Sequence, residues 1–229
     1  GVVVENDSVI SNFAVSNTTP VSITSGKTLS GSIGVTAGSL KLTETGTLAS
    51  AVSMSGGTTL DADNSLTVSG TLTHTGDITI DVLENKILTY TGASLSLGAN
   101  TLRISGGGAF SNTNSLVLDD PDSKLHLSSV TVGSVSTSVD NSLGVVVDND
   151  STISNFAVSK ITPVSIANDK TLSGSIGVTA GSIKLTDTGT LASNVSMSGG
   201  ILDADNTLTV SGVLTQSGDI TIDVLEVIS

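Results

Sequence analysis

Apolar residues alternate with small polar ones along the whole chain. Ile33-x-Val35, Leu40-x-Leu42, Val52-x-Met54, Leu66-x-Val68 and Ile78-x-Ile80-x-Val82 begin a series. It continues through Leu95-x-Leu97, Leu102-x-Ile104, Leu116-x-Leu118, Leu125-x-Leu127 and Val130-x-Val132. A period of two is the signature of a strand with one buried face, and no stretch shows helical spacing. The steps recur every six to nine residues and are bounded by Gly, Ser, Asn or Asp, so each strand is short.

Many short strands can close a sandwich, a barrel or a solenoid, but the first two usually use longer strands in finite numbers. Three short strands per coil give about 18–22 residues per coil, within the range of solenoid repeats. The expected fold is therefore all-β, a parallel β-solenoid with its aliphatic side chains in a continuous interior.

The chain also repeats itself at long range. Residues 1–57 match 144–200 at an offset of 143, beginning with GVVVENDSVISNFAVS against GVVVDNDSTISNFAVS. One residue is lost near Thr59, and LDADNSLTVSGTLTHTGDITIDVLE then aligns with LDADNTLTVSGVLTQSGDITIDVLE at an offset of 142. The expected organisation is one continuous solenoid over 1–229, with copy one at 1–143 and a partial copy two at 144–229. Seven coils would fill one long repeat, rising on the order of 33 Å at strand spacing. Such tandem texture predicts a piece of a longer polypeptide.

Composition narrows the function. Charged residues are 13% of the chain and aromatics 2%, with no Trp and no Cys. Eight basic residues against 21 acidic ones leave a formal charge of −13. Nucleic-acid binding needs clustered Lys and Arg, which are absent, and anionic membrane surfaces would repel the chain. No apolar run is long enough to span a bilayer as a helix. Without Cys there is no disulfide framework and no thiolate chemistry.

Asn-Ser/Thr-Leu opens a strand at Asn64, Asn100, Asn114, Asn141 and Asn206. These are expected corners, because Asn tolerates the left-handed conformation and its amide can bond the coil above. Acidic clusters at Asp61 and Asp63, at Asp119, Asp120 and Asp122, and at Asp148 and Asp150 are candidate oxygen ligands for structural calcium. None has EF-hand spacing, and Asx turns explain the same residues without a metal. Asp77 and Asp81 share an outward face, yet one Tyr and one Arg give little for gripping a substrate, so no catalytic residue is assigned. His74 and His126 have no recurring partner for nucleophilic catalysis. Sequons at Asn6, Asn17, Asn149 and Asn194 are candidate glycosylation sites.

Strings such as NSLTVSGTLT and GANTLRISGGGAFSN resemble the β-helical repeat regions of large bacterial and archaeal surface proteins. Filamentous-haemagglutinin-type adhesins, autotransporter passenger domains and surface filament proteins share this texture. The resemblance is compositional and covers the whole chain. It implies an extracellular, cell-surface location and a role as filament, stalk or adhesive surface. The expected partners are further copies, associating head to tail, with a carbohydrate or another cell surface as the alternative ligand. A polysaccharide-degrading enzyme on the same scaffold is the third reading.

Overall fold

The computed structural model describes residues 1–224; the final residues of the second copy, 225–229, lie outside the described ones. The chain winds as a parallel β-solenoid of about 11 turns, about 20 residues to the turn, with no helix among the described residues. One sheet of 12 strands runs in chain order from Val2–Val4 through Thr19–Ile23, Ser39–Leu42, Thr59–Ala62 and Ile78–Val82 to Thr221–Val224. This is the first face. The remaining 17 strands form one bent sheet that supplies the second and third faces. Gly144–Val147 stands seven places after Val2–Val4 in the first face, so the 143-residue repeat corresponds to seven turns.

Alternation along each strand decides what lies inside. In Ile78–Val82 the residues Ile78, Ile80 and Val82 are buried while Thr79 and Asp81 face outward. Leu60, Ile80, Ile104, Leu127 and Val147 stack as neighbours in successive rungs, each 0–1% exposed. β-Branched and Leu side chains nest on such a pleated surface, each contributing about 1.5–3 kcal/mol by burial. Stacking the same apolar positions rung on rung gives one uninterrupted core from Val4 to Leu202.

Rings enter this narrow interior where neighbours leave room. Phe110 and Phe156 are buried, and Phe13 packs partly buried against the core. Tyr90 is 1% exposed, lies 5.9 Å from the Phe110 ring, and its hydroxyl accepts the Leu72 N–H at 3.1 Å. Desolvation holds that phenol above its ordinary pKa.

The bend between the second and third faces falls within single strands. Ser8–Val15, Thr28–Val35, Ser151–Val158 and Thr171–Val178 each run through it, with a register shift between Ile10 and Phe13 and again between Ile153 and Phe156. Gly31 and Gly174 turn this corner at φ 114° and 113°. A Cβ at either would lie 1.9 Å from the carbonyl oxygen of Ile10 or Ile153 on the adjoining rung, so only glycine fits.

The corner from the first face to the second uses another device. Gly26, Asn85, Ser129 and Asp169 have φ of 72°, 62°, 54° and 59°, each two residues before a second-face strand. Backbone turns close three of these corners, with Lys27, Lys86 and Lys170 N–H donating to the carbonyls of Thr24, Leu83 and Ala167. A left-handed third turn residue explains why Gly, Asn or Asp precedes Lys there.

Candidate functional site

The outward side of the first face gathers charge by register. Lys41 lies beside Asp61, Asp61 beside Asp81, and Asp81 beside Ser105 on successive rungs. The Lys41 ammonium reaches Asp61 at 3.1 Å and Asp63 at 2.8 Å. The second copy rebuilds the arrangement, with Lys184 2.7 Å from Asp205 and 3.7 Å from Asp203. Hydrogen bonds donated to Asp63 and Asp61 hold the Lys41 ammonium above its ordinary pKa. Burial outweighs the neighbouring ammonium at Asp61 and raises its carboxyl, and burial followed by the Asp205 charge does the same at Asp203. The two acids share one cation, and the second carboxylate offsets what that cation supplies.

A second cluster stands where Arg103 and His126 face each other on adjacent rungs. His126 Nε2 lies 2.6 Å from Asp148 Oδ2, and Arg103 Nη1 lies 3.1 Å from His126 Nδ1. Guanidinium nitrogens only donate, so Nδ1 accepts and Nε2 carries the proton toward Asp148. The Arg103 Nη2 group also approaches Asp148, at 3.5 Å. The His126 hydrogen bond leads, with the Arg103 charge adding, in holding the Asp148 carboxyl below its ordinary range. Both ring nitrogens of His126 are engaged, which ties three rungs together.

The other candidate acids sit at corners and cap backbone donors. Asp150 Oδ1 accepts Thr171 N–H at 2.9 Å, as Asp7 accepts Thr28 N–H at 2.9 Å in the first copy. Asp119 accepts from Ser96 Oγ and from Gly98 N–H, Asp120 accepts Asp122 N–H at 2.9 Å, and Asp122 accepts Ser142 Oγ at 3.3 Å. Among the described residues, no three acidic or His side chains are gathered as a metal ligand set. The seven candidate acids, Asp61, Asp63, Asp119, Asp120, Asp122, Asp148 and Asp150, make ion pairs, cap backbone donors and, at Asp122, accept a hydroxyl.

The five corner Asn residues act through their side chains, and none has a left-handed backbone. Three reach the preceding turn, with Asn64, Asn114 and Asn141 amides donating to the carbonyls of Thr43, Gly92 and Asp120. Asn100 donates to Leu97 O at 3.0 Å and Asn206 accepts Thr207 N–H at 2.8 Å, both within their own corner. The links run from amide to main chain, because each Asn falls beside a carbonyl and not beside another Asn. Of the sequon residues, Asn6, Asn17 and Asn194 are exposed, and Asn149 is half-buried with its amide on Ser128 Oγ at 2.9 Å.

Sequence reasoning missed Asn112, which is 6% exposed. Its amide donates to the carbonyls of Asn114 and Ser134, and its Oδ1 accepts from Gly133 and Ser134 N–H. The signal was present, since Asn112 occupies an inward position of the alternation two residues after Phe110. Also missed was a groove of about 730 Å³ beside Gly106, Gly107 and Gly108, lined by Ser105, Ser128, Ser151 and Thr152 with Glu84 and Asp150 at hand.

Charge is sorted by face. First-face strands carry Lys41, Asp61, Asp81, Arg103, Lys124, Lys184, Asp203 and Asp223. Among the described residues, the 17 strands of the other two faces contain no Asp, Glu, Lys or Arg. On the second face Thr28, Thr47, Thr67 and Thr89 form one outward column.

In comparisons with protein-family models, curated proteins and solved structures, none matches this chain.

Proposed function

We propose that the chain is a segment of an extended rod that serves as a filament or stalk outside a microbial cell, and that its role is mechanical, not catalytic. The observation that carries this reading is the apolar interior, which runs without a break from Val4 to Leu202 while every turn bonds its neighbours in parallel register. Main-chain hydrogen bonds then lie along the rod axis and load in parallel. Rods of this type join through their terminal rungs, where unpaired strand edges invite another strand, within one chain or between subunits. The extracellular assignment rests on the resemblance in texture.

Negative-stain electron microscopy tests the reading. Unbranched rods of constant width support it. Compact particles with no long axis would sink it.

One observation favours a second reading, an adhesin for carbohydrate. The groove beside Gly106–Gly108 presents Ser and Thr hydroxyls with Glu84 and Asp150, groups that hydrogen-bond sugar hydroxyls. A glycan array run on the intact chain, with Ser128→Arg as the blocked control, discriminates the two. A glycan signal that Ser128→Arg abolishes would favour the adhesin.

A further inference from the structure

We propose that two copies of this chain dock side by side through the third face, sheet against sheet, with their charged first faces turned away from each other. Three observations point there.

Charge comes first. A chain of net charge −13 opposes contact with its own copies wherever acids meet. The third face is exempt, because its strands contribute outward Ala14, Gly34, Ser53 and Thr73 on four consecutive rungs, none of them ionisable. Ala157 and Gly177 repeat the start of this column in the second copy. Burying those rungs strands no charge, and the nearest carboxylate along the face is Asp119, which meets it farther on at Ser96 Oγ.

Glycine comes second. Gly31 and Gly174 are required by their left-handed backbone and by the carbonyl pressed against them. Gly34 and Gly177 are not. Neither has a positive φ, and a Cβ at either would meet nothing within 4 Å. Glycine inside a strand costs roughly 0.5–1 kcal/mol relative to Ala and is otherwise found where another backbone approaches closely. The chain's own fold supplies no such neighbour on that side.

Area comes third. About 11 turns at strand spacing give a face on the order of 50 Å long. A width of about four residues makes roughly 700 Å² per copy, close to the ~800 Å² per partner of a stable interface. A two-fold axis normal to the rod pairs the face with itself, and small side chains allow the close approach of packed sheets.

The absence of Cys allows a clean test. Sedimentation velocity of the chain should show a concentration-dependent dimer below about 100 µM. The double variant Ser53→Arg, Ser196→Arg should weaken that dimer at least tenfold with an unchanged melting curve, while Thr79→Arg on the first face should leave it intact. Oxidised Ser53→Cys should form disulfide-linked dimers, and Thr79→Cys should not. A monomer at every concentration, equal cross-linking from both faces, or dimers that survive the double variant would overturn the proposal. So would a monomeric chain that binds insoluble polysaccharide through Ser53, which would assign the face to a glycan. Single, unpaired rods in the microscope would sink lateral docking while leaving the filament reading in place.

Discussion

At the scale of one residue, adjacent positions on opposite sides of a strand have opposite tolerances. Ile80 is 0% exposed and Leu66 5%, whereas Thr79 and Thr67 face outward and are half-buried. Asp at Ile80 would place an unpaired carboxylate in a core without donors, a cost beyond the roughly 4 kcal/mol that marks exceptional substitutions. Circular dichroism should record loss of the folded β spectrum for Ile80→Asp or Leu66→Asp and an intact one for Thr79→Ser or Thr67→Ser. The Arg103–His126–Asp148 cluster makes an acid-side prediction. Asp148 has its carboxyl lowered in the folded state, chiefly by His126. A depressed carboxylate contributes stability that is complete above its unfolded pKa and is lost as pH falls through the folded one. His126→Ala should therefore lower the melting temperature at neutral pH, by the small amount expected of a partly exposed pair, and this deficit should vanish below the ordinary Asp range. A deficit that persists undiminished in acid would assign the loss to packing.

At the scale of the element, glycines that look alike in sequence separate into two kinds. Gly31→Ala forces a Cβ to within 1.9 Å of Ile10 O at a left-handed backbone and should destabilise by several kcal/mol, as should Gly174→Ala. Gly34→Ala meets open space and should be neutral or stabilising by roughly 0.4–1 kcal/mol in the monomer. Urea denaturation of the two variants checks the contrast. The strands themselves were legible beforehand: the alternation at Leu40-x-Leu42, Leu102-x-Ile104 and Leu125-x-Leu127 names residues that are buried here. Coil length was legible too, because apolar steps recur at a spacing that three faces must share. Corner geometry was only half legible. The left-handed residue type was anticipated, but it sits at Asn85 and Asp169, ahead of Lys, and not at Asn64 or Asn141. Those two bond across turns, which depends on what the neighbouring rung presents and so cannot be read from local sequence. The ion pairs escaped for the same reason. Lys41 and Asp61 are 20 residues apart and meet only once the turn length is fixed.

At the scale of the whole molecule, rung number sets length. About 11 turns give a rod on the order of 50 Å, and each 143-residue repeat adds seven turns, on the order of 33 Å. Images of longer natural or engineered arrays should show that axial period. The identical segments Thr28–Val35 and Thr171–Val178 make a sharper check available. Removing 36–178 joins Val35 to Thr179 with the local sequence preserved and whole turns excised. The shortened chain should keep its β spectrum, and small-angle scattering should record a rod shorter by about 33 Å. Collapse or aggregation would mean that the turns do not stack independently of their place in the array.

The residue missing from the second copy near Thr59 shows where the coil tolerates irregularity. Met54-Ser-Gly-Gly-Thr-Thr-Leu60 becomes Met197-Ser-Gly-Gly-Ile-Leu202, yet the strands Thr59–Ala62 and Ile201–Ala204 hold equivalent places in the first face. The slack is taken up at the corner that leads from the third face back to the first. Genes encoding such a coil can then gain or lose DNA by misaligned recombination between copies, and the products emerge as shorter or longer rods. Rod length becomes a quantity adjustable in discrete strides of whole turns, without a new fold having to arise.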